Sequence, residues 1–213
     1  MAIIGVPAAI TAAATVFARN FISGEKKIKR RVVRRYSIDD PQFERSMSQL
    51  LGPPILADNL VTPLRNGVEI FPAMLKAIES AERSVTFETF IYWEGEMVQK
   101  FADALAEKAR QGVKVHVLMD GIGCDCVDRD ALRRMVDAGV ELEIYHAANF
   151  ARVNHRTHRK LLVIDGTVGF TGGVGIADYW SGDADAEDIG VIHIIAWKDR
   201  WWRSCKPPSW IIG

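Results

Sequence analysis

Residues 154–173 constrain the fold of this 213-residue chain more than any other segment. Residues 160–164 form a short apolar run that ends at Asp165 and a glycine, and residues 168–171 follow as a second run. An Asp-Gly pair between two strand-forming runs is a strong hairpin signal, so we predict two antiparallel strands joined at this turn. Because side chains alternate along a strand, His158 and Lys160 fall on the same face and can reach one ligand.

The spacing of polar residues and glycines in this hairpin follows the pattern H-x-K-x4-D-x6-G-G. A nucleophilic imidazole beside a cation that can neutralise phosphoryl oxygens is suited to phosphodiester chemistry, and His158 and Lys160 supply such a pair. We predict His158, Lys160 and Asp165 as catalytic residues. Gly172 and Gly173 are predicted to bind substrate, because a bulky side chain there would block a ligand. The alternative is an ordinary hairpin with an exposed histidine and lysine, and the register of the aspartate and glycines argues against it.

The motif resembles the signature of the phospholipase D superfamily. Together with residues 70–75, 87–93 and 172–178, it resembles bacterial cardiolipin synthase-type phosphatidyltransferases over roughly residues 40–187. The resemblance implies transfer of a phosphatidyl group between phospholipids through a phosphohistidine, typically from one phosphatidylglycerol to another. It implies that His158 is the nucleophile or its acid/base counterpart, that Lys160 clamps the phosphate, and that Asp165 helps to hold the motif.

The chain departs from this family pattern in two ways. Gly175 stands where many superfamily motifs have an asparagine, so one phosphate donor is missing. Family enzymes also combine two motifs, because one histidine attacks phosphorus while the other protonates the leaving oxygen, and this chain has one. Two alternatives therefore stay open: a single-motif phosphodiesterase or nuclease that acts as a homodimer, and a non-catalytic remnant.

Hydrophobic periodicity predicts alternating helices and strands in the body of the chain. Helices are expected at residues 40–54, 69–81, 97–110 and 129–138, and strands at residues 84–93, 113–119 and 140–145, before the hairpin. This order predicts an α/β fold, a phospholipase D-like mixed β-sheet flanked by helices, as one repeat of the family's two-repeat architecture.

Four further residues in the predicted strands or directly after them are candidates for the site. Glu88 lies within a buried strand and Asp120 at a strand's carboxyl end, where α/β proteins often place ligands. A structural role is favoured for both acids, and Glu88 is also a candidate for binding substrate. Tyr92 and Trp93 are candidates for a lipid-facing opening, although core packing is the commoner role of such aromatics.

The amino-terminal residues 1–36 combine an apolar stretch, residues 2–18, with a following cluster of lysines and arginines. We interpret them as a membrane-anchor remnant and a basic linker, which would place the chain at the cytoplasmic face of a bacterial inner membrane. The linker would contact an anionic membrane surface. The alternative is a frayed apolar terminus with a solvated linker. Because the net charge is zero, we expect no nucleic-acid partner.

The cysteines and histidines do not form a metal-binding pattern. Cys124, Cys126 and Cys205 lack zinc spacing and are expected to be reduced thiols. His155 and His158 lack a carboxylate or cysteine cluster nearby in sequence. We therefore expect neither a metal nor another cofactor.

Residues 188–213 differ in character from the preceding residues 37–187, which form the predicted phospholipase D-like domain. This tail holds four of the chain's six tryptophans and has no readable period. Permitted codons for it, read in another frame, give a peptide similar to the family's normal continuation. We therefore expect a frameshift near Glu187, with an out-of-frame tail and a truncated, inactive enzyme.

Overall fold

The helix and strand segments predicted in the middle of the chain alternate as expected in the computed structural model. The structure describes residues 5–21, 36–52, 55–56, 59–124, 127–146, 156–183 and 193–198. These residues fall into two units, one within residues 1–59 and the other from Leu60 onward. The first unit contains two helices, and the second contains the sheet and the predicted site.

The described residues form five α-helices and seven strands. The helices are α1 (Gly5–Phe21), α2 (Pro41–Leu51), α3 (Asn66–Glu79), α4 (Glu96–Arg110) and α5 (Arg129–Asp137). The strands are β1 (Leu60–Arg65), β2 (Ser84–Thr89), β3 (Lys114–Asp120), β4 (Glu141–Tyr145), β5 (Leu161–Ile164), β6 (Val168–Gly172) and β7 (His193–Lys198). The predicted strand at residues 84–93 therefore ends four residues early. The predicted helix at residues 69–81 begins three residues earlier and ends two residues earlier.

The strands form one mixed sheet in the order β1-β7-β6-β5-β2-β3-β4. β2, β3 and β4 are parallel, whereas β5 lies antiparallel to β2 on its other side. The carboxyl ends of β2 and β3 therefore lie at the same edge as the amino end of β5. Residues 156–160, which lead into β5, are consequently brought to the loops that follow β2 and β3. This mixed sheet with flanking helices confirms the predicted fold class.

Aromatic side chains contribute to the core that holds this sheet to its helices. Phe71 of α3 packs edge-on against Phe101 of α4 at 6.0 Å between ring centroids. Phe101 also stacks on Phe87 of β2 at 6.1 Å. These contacts, with the buried aliphatic residues around them, fix the carboxyl end of β2 relative to the two helices.

The hairpin predicted around Asp165 is present, with β5 and β6 paired from Leu161↔Thr171 to Ile164↔Val168. Asp165 and Gly166 take φ values of 53° and 70°, the left-handed conformation that Asp-Gly turns supply. The predicted return strand is one residue longer than expected.

The remaining elements are two strands that the sequence analysis did not predict and the amino-terminal helix. β1 and β7 were not predicted, and β7 lies within the segment interpreted as an out-of-frame tail. α1 overlaps the predicted anchor at residues 2–18. In the described ranges, no helix combines the length and the apolar character needed to cross a membrane.

Candidate functional site

His158 and Lys160 project together at the edge of the sheet where residues 156–160 enter β5. The His158 Nε2 atom and the Lys160 Nζ atom are 3.1 Å apart, as the alternation of the motif predicted. His158 is exposed and Lys160 is half-buried. A phosphate group that lies against both side chains can therefore contact the two nitrogens at once.

Phe90, in the turn after β2, lies against both of these side chains. Its ring centroid is 4.4 Å from that of the His158 imidazole, and the Lys160 Nζ atom is 5.1 Å from it. This aromatic surface limits the positions of the imidazole and supports the ammonium by a cation–π contact. Partial burial lowers the pKa of the Lys160 ammonium below its ordinary value.

Glu88 holds the residues on either side of His158. Its buried carboxylate accepts a hydrogen bond from the Thr157 hydroxyl, and its Oε1 atom is 2.9 Å from the Arg159 Nε atom. Thr157 and Arg159 alternate with His158 and Lys160 along the chain, which explains why they turn to the other side. These contacts favour the structural alternative for Glu88 over direct substrate binding.

Asp120 holds the backbone of the same residue from the neighbouring strand. Its carboxylate is 1% exposed and accepts the Thr157 amide hydrogen at 3.0 Å. The other carboxylate oxygen accepts the amides of Ile122 and Gly123 at 3.0 and 3.1 Å. Two buried acids on adjacent parallel strands thus converge on the residue immediately before the candidate nucleophile.

Like Phe90, Thr157 is a site residue that sequence reasoning missed. It is 8% exposed, and its hydroxyl and amide contact different acids. A signal was present, because strand alternation places residue 157 opposite His158. The identity of its partners depends on strand order, which the sequence pattern alone did not define.

Asp165 lies at the other end of β5 from His158. Its carboxylate accepts the backbone amides of Glu82, Arg83 and Ser84 at 2.8–3.0 Å. It therefore fastens the hairpin turn to the start of β2 and holds the register of the motif strand. The structure does not bring Asp165 together with His158 and Lys160, so its contacts match the holding role implied by the resemblance.

The glycines of the motif occupy two different environments. Gly172 and Gly173 are exposed, and a Cβ atom added to Gly173 would meet open space. Gly172 and Lys160 both line a small cavity of about 20 Å³. Gly175 is buried, and an added Cβ would lie 2.6 Å from the Ile91 Cβ. This close approach explains why an asparagine is absent at that position.

Tyr92 and Trp93 have different roles although they are neighbours. Tyr92 is fully buried and donates its hydroxyl hydrogen to the Val98 carbonyl at 2.9 Å, and burial raises the pKa of its phenol. Tyr92 is thus a core residue and does not line a lipid-facing opening. Trp93 is 37% exposed and stacks on Trp180, with ring centroids 5.9 Å apart.

The predicted thiols and histidines are only partly covered by the structure. Cys124 is a buried thiol whose Sγ atom is 3.4 Å from the Phe90 carbonyl oxygen. Cys126, Cys205 and His155 lie outside the described residues. Across the part of the chain that the structure describes, no group of three or more His, Cys, Asp or Glu side chains could hold a metal ion.

The fold and the His-Lys pair define a phospholipase D-like domain, and comparison with known proteins identifies its family. Residues 74–194 match the family model described as "Cardiolipin synthase, PLD-like domain", so the chain belongs to that family. Cardiolipin synthase 1 of Bacillus cereus is 39% identical over 131 residues, which are 59% of this chain and 26% of the relative. Cardiolipin synthase 1 of Bacillus anthracis is 37% identical over 156 residues, which are 68% of this chain and 31% of the relative.

The chain therefore spans roughly a quarter to a third of the length of these curated relatives. Among solved structures, NucT from Helicobacter pylori is similar with a TM-score of 0.50 and 15% identity. That likeness covers 67% of this chain and 87% of NucT, and it supports the fold alone.

Proposed function

We propose that this chain is the first-motif part of a cardiolipin synthase-type phosphatidyltransferase that acts through a phosphohistidine at His158. The observation that carries the proposal is the 3.1 Å approach of the His158 Nε2 and Lys160 Nζ atoms, within a sequence that belongs to this family. An exposed imidazole beside a fixed ammonium is suited to attack a phosphodiester.

In the proposed first step, the His158 Nε2 atom attacks the phosphorus of a phosphatidylglycerol-like lipid. A nitrogen–phosphorus bond forms, the phosphorus–oxygen bond to the glycerol head group breaks, and Lys160 neutralises the non-bridging oxygens. The departing alkoxide needs a proton, which an imidazole from a second motif would supply. In the second step, the hydroxyl of another lipid attacks the phosphorus of the phosphohistidine and returns its proton to that imidazole. A phosphorus–oxygen bond forms, and the phosphorus–nitrogen bond breaks, which frees the His158 Nε2 atom.

A chain with one motif would lack the proton donor of the first step unless a second copy provides it. We therefore propose that the 213-residue chain does not turn over phosphatidylglycerol by itself. The loss of a general acid typically costs a factor of about 10² to 10⁴. A frameshift near Glu187 remains our interpretation of the tail, and the coding DNA downstream of codon 187, read in three frames, tests it.

A substrate that needs no proton donor separates the role of His158 from the missing acid. Phosphatidyl-p-nitrophenol has a leaving group that departs as a stable anion. The purified chain should release a burst of nitrophenolate equal in amount to the enzyme present, and a phosphatidyl group should remain covalently bound to the protein. His158→Ala should abolish the burst, whereas His116→Ala, which removes another exposed histidine on β3, should retain it.

Three outcomes would change the proposal. A full burst in the His158→Ala variant would overturn the assignment of the nucleophile. Robust turnover of phosphatidylglycerol that disappears on dilution would favour the homodimeric single-motif enzyme. Turnover that is independent of concentration would show that one motif is sufficient.

A further inference from the structure

An exposed aromatic cluster lies on the loops beside the candidate site and has no part in the chemistry described above. Trp93 and Trp180 stack at 5.9 Å, and Tyr179 packs edge-on against Trp180 at 5.7 Å between centroids. Tyr179 is 48% exposed, and Ile122, on the adjoining loop, is 55% exposed. We call these four residues the aromatic patch.

The aromatic patch is fixed to the fold rather than carried on loosely attached loops. The Trp93 indole donates its N–H to the Gly123 carbonyl at 3.0 Å, which joins the two loops. Asp178, next to Tyr179, accepts the first amides of α4, those of Glu96 and Met97, at 2.8 and 2.7 Å. Trp180 packs partly against the core, whereas Trp93, Tyr179 and Ile122 are exposed, so these specific contacts hold apolar surface in water.

The aromatic patch and the candidate nucleophile share the same supporting loop. Phe90, whose ring contacts His158, precedes Trp93 by three residues. Gly123 is so close to this loop that an added Cβ atom would lie 1.9 Å from the Phe90 carbonyl oxygen. A surface that receives the aromatic patch would consequently face the same edge of the sheet as His158.

We propose that the aromatic patch inserts into the head-group region of a phospholipid bilayer and holds the site against it. This inference rests on the proposed function, because that reaction requires a lipid phosphate to reach His158 from a membrane. Tryptophan and tyrosine favour the membrane–water interface, since each combines an apolar ring with a polar group.

Charged side chains of both signs surround the aromatic patch. Arg159 is 72% exposed, and Lys160 lies next to it in the motif. Glu88 pairs with Arg159, and exposed Glu94, Glu96 and Asp178 flank the aromatic patch, so these acids offset the positive charge. We therefore expect apolar insertion to supply most of the affinity and the cations to supply a salt-dependent part.

Hydrogen–deuterium exchange on the full chain tests the insertion locally, whatever residues 1–36 contribute to membrane binding. Vesicles of equimolar phosphatidylglycerol and phosphatidylethanolamine should slow exchange at residues 92–95, 121–124 and 178–181. Exchange at residues 137–140, at the opposite edge of the sheet, should not change. Unchanged exchange at all of these loops on vesicle-bound protein would overturn the proposal.

Substitution of exposed residues tests the contribution of the aromatic patch to affinity. Ile122→Ser combined with Tyr179→Ser should weaken vesicle binding about tenfold, since about 60 Å² of apolar area would no longer enter the bilayer. The matched control combines Val61→Ser with Val136→Ser, which are 55% and 52% exposed at the far edge. Equal binding by the two double variants would contradict the proposal.

This test is separable from the test of the reaction. His158→Ala should abolish the nitrophenolate burst and leave the vesicle-dependent protection intact. The Ile122→Ser and Tyr179→Ser variant should give the parent burst on a short-chain soluble ester. Loss of the burst on the soluble ester would show that the substitutions disturb the site itself. Weaker vesicle binding by this variant would then no longer support insertion of the aromatic patch.

Discussion

Asp120→Asn is the substitution that tests most directly how the fold positions His158. The Asp120 carboxylate accepts three backbone amides, from Ile122, Gly123 and Thr157. An asparagine can keep its oxygen on the first two amides only by turning its NH₂ group toward the Thr157 N–H. Two donors would then face each other beside a residue that is only 1% exposed.

The expected loss of stability has two causes, which are the lost hydrogen bond from the Thr157 amide and the burial of that N–H without an acceptor. A hydrogen bond to a charged group contributes about 1.5–3 kcal/mol, and a buried unsatisfied N–H costs about 1–3 kcal/mol. Because the two contributions overlap, we expect a loss of about 3 kcal/mol in the free energy of unfolding. For a domain of this size, that loss corresponds to a fall of about 10 °C in Tm.

Asp165→Asn is the matched control, since the Asp165 carboxylate also accepts three backbone amides. Asp165 is half-buried at a turn, so water can solvate a donor that loses its partner. We expect a loss of about 1 kcal/mol, measured by calorimetry alongside Asp120→Asn.

The nitrophenolate burst distinguishes positioning from stability. Asp120→Asn should slow the burst about 100-fold at a temperature where the variant is folded, because the backbone that carries His158 is no longer held. Asp165→Asn should leave the burst rate unchanged. Equal falls in Tm, or a parent burst rate in the Asp120→Asn variant, would refute the positioning argument.

Two further predictions concern Gly175 and Lys160. Gly175→Ala should destabilise the domain by about 1–3 kcal/mol in urea unfolding, because the new Cβ would lie 2.6 Å from the Ile91 Cβ. Gly182→Ala, whose Cβ would meet open space, is the control, and equal effects would contradict the clash. Lys160→Met removes an ammonium whose pKa is lowered in the folded state. At pH values between that lowered pKa and the ordinary value of about 10.4, the unfolded chain binds more protons than the folded chain. The free energy of unfolding of the parent should therefore rise with pH in this range. The Lys160→Met variant should lack this rise in stability. Identical pH dependence of urea unfolding in the parent and the variant would contradict the prediction.

The motif hairpin and the central βαβ units could be predicted because their signals are local. The Asp-Gly turn and the alternation around His158 depend on residues that are close in sequence. The support of His158 is not local, since the contacts of Thr157 reach Asp120 and Glu88 across 37 and 69 residues. Sequence periodicity carries no information on contacts between residues so far apart. The two acids were therefore identified as candidates, whereas Thr157, which both of them contact, was missed.

The strand errors also have physical causes. β1 carries Pro63 and consists of mostly exposed residues, so it lacks the alternation by which a half-buried strand is recognised. β2 was extended to residue 93 because 90–93 continue its apolar and aromatic composition. In the structure, the Thr89 hydroxyl donates to the Ile91 carbonyl at 2.8 Å in the turn after β2. That turn brings Phe90 against His158.

The arrangement of the acids suggests why the motif requires this fold and not merely a hairpin. Within the described residues, Glu88 and Asp120 contact Thr157, whereas the His158 imidazole contacts Phe90 and Lys160. The carboxylates therefore fix the chain next to the nucleophile while the Nε2 atom stays on the exposed side. An isolated hairpin with the same residues would keep the alternation but lose the contacts of both carboxylates. Glu88 and Asp120 come from the parallel strands β2 and β3, and the motif leads into the antiparallel strand β5. Only a mixed sheet with β5 beside β2 therefore brings the two acids and the motif to one edge.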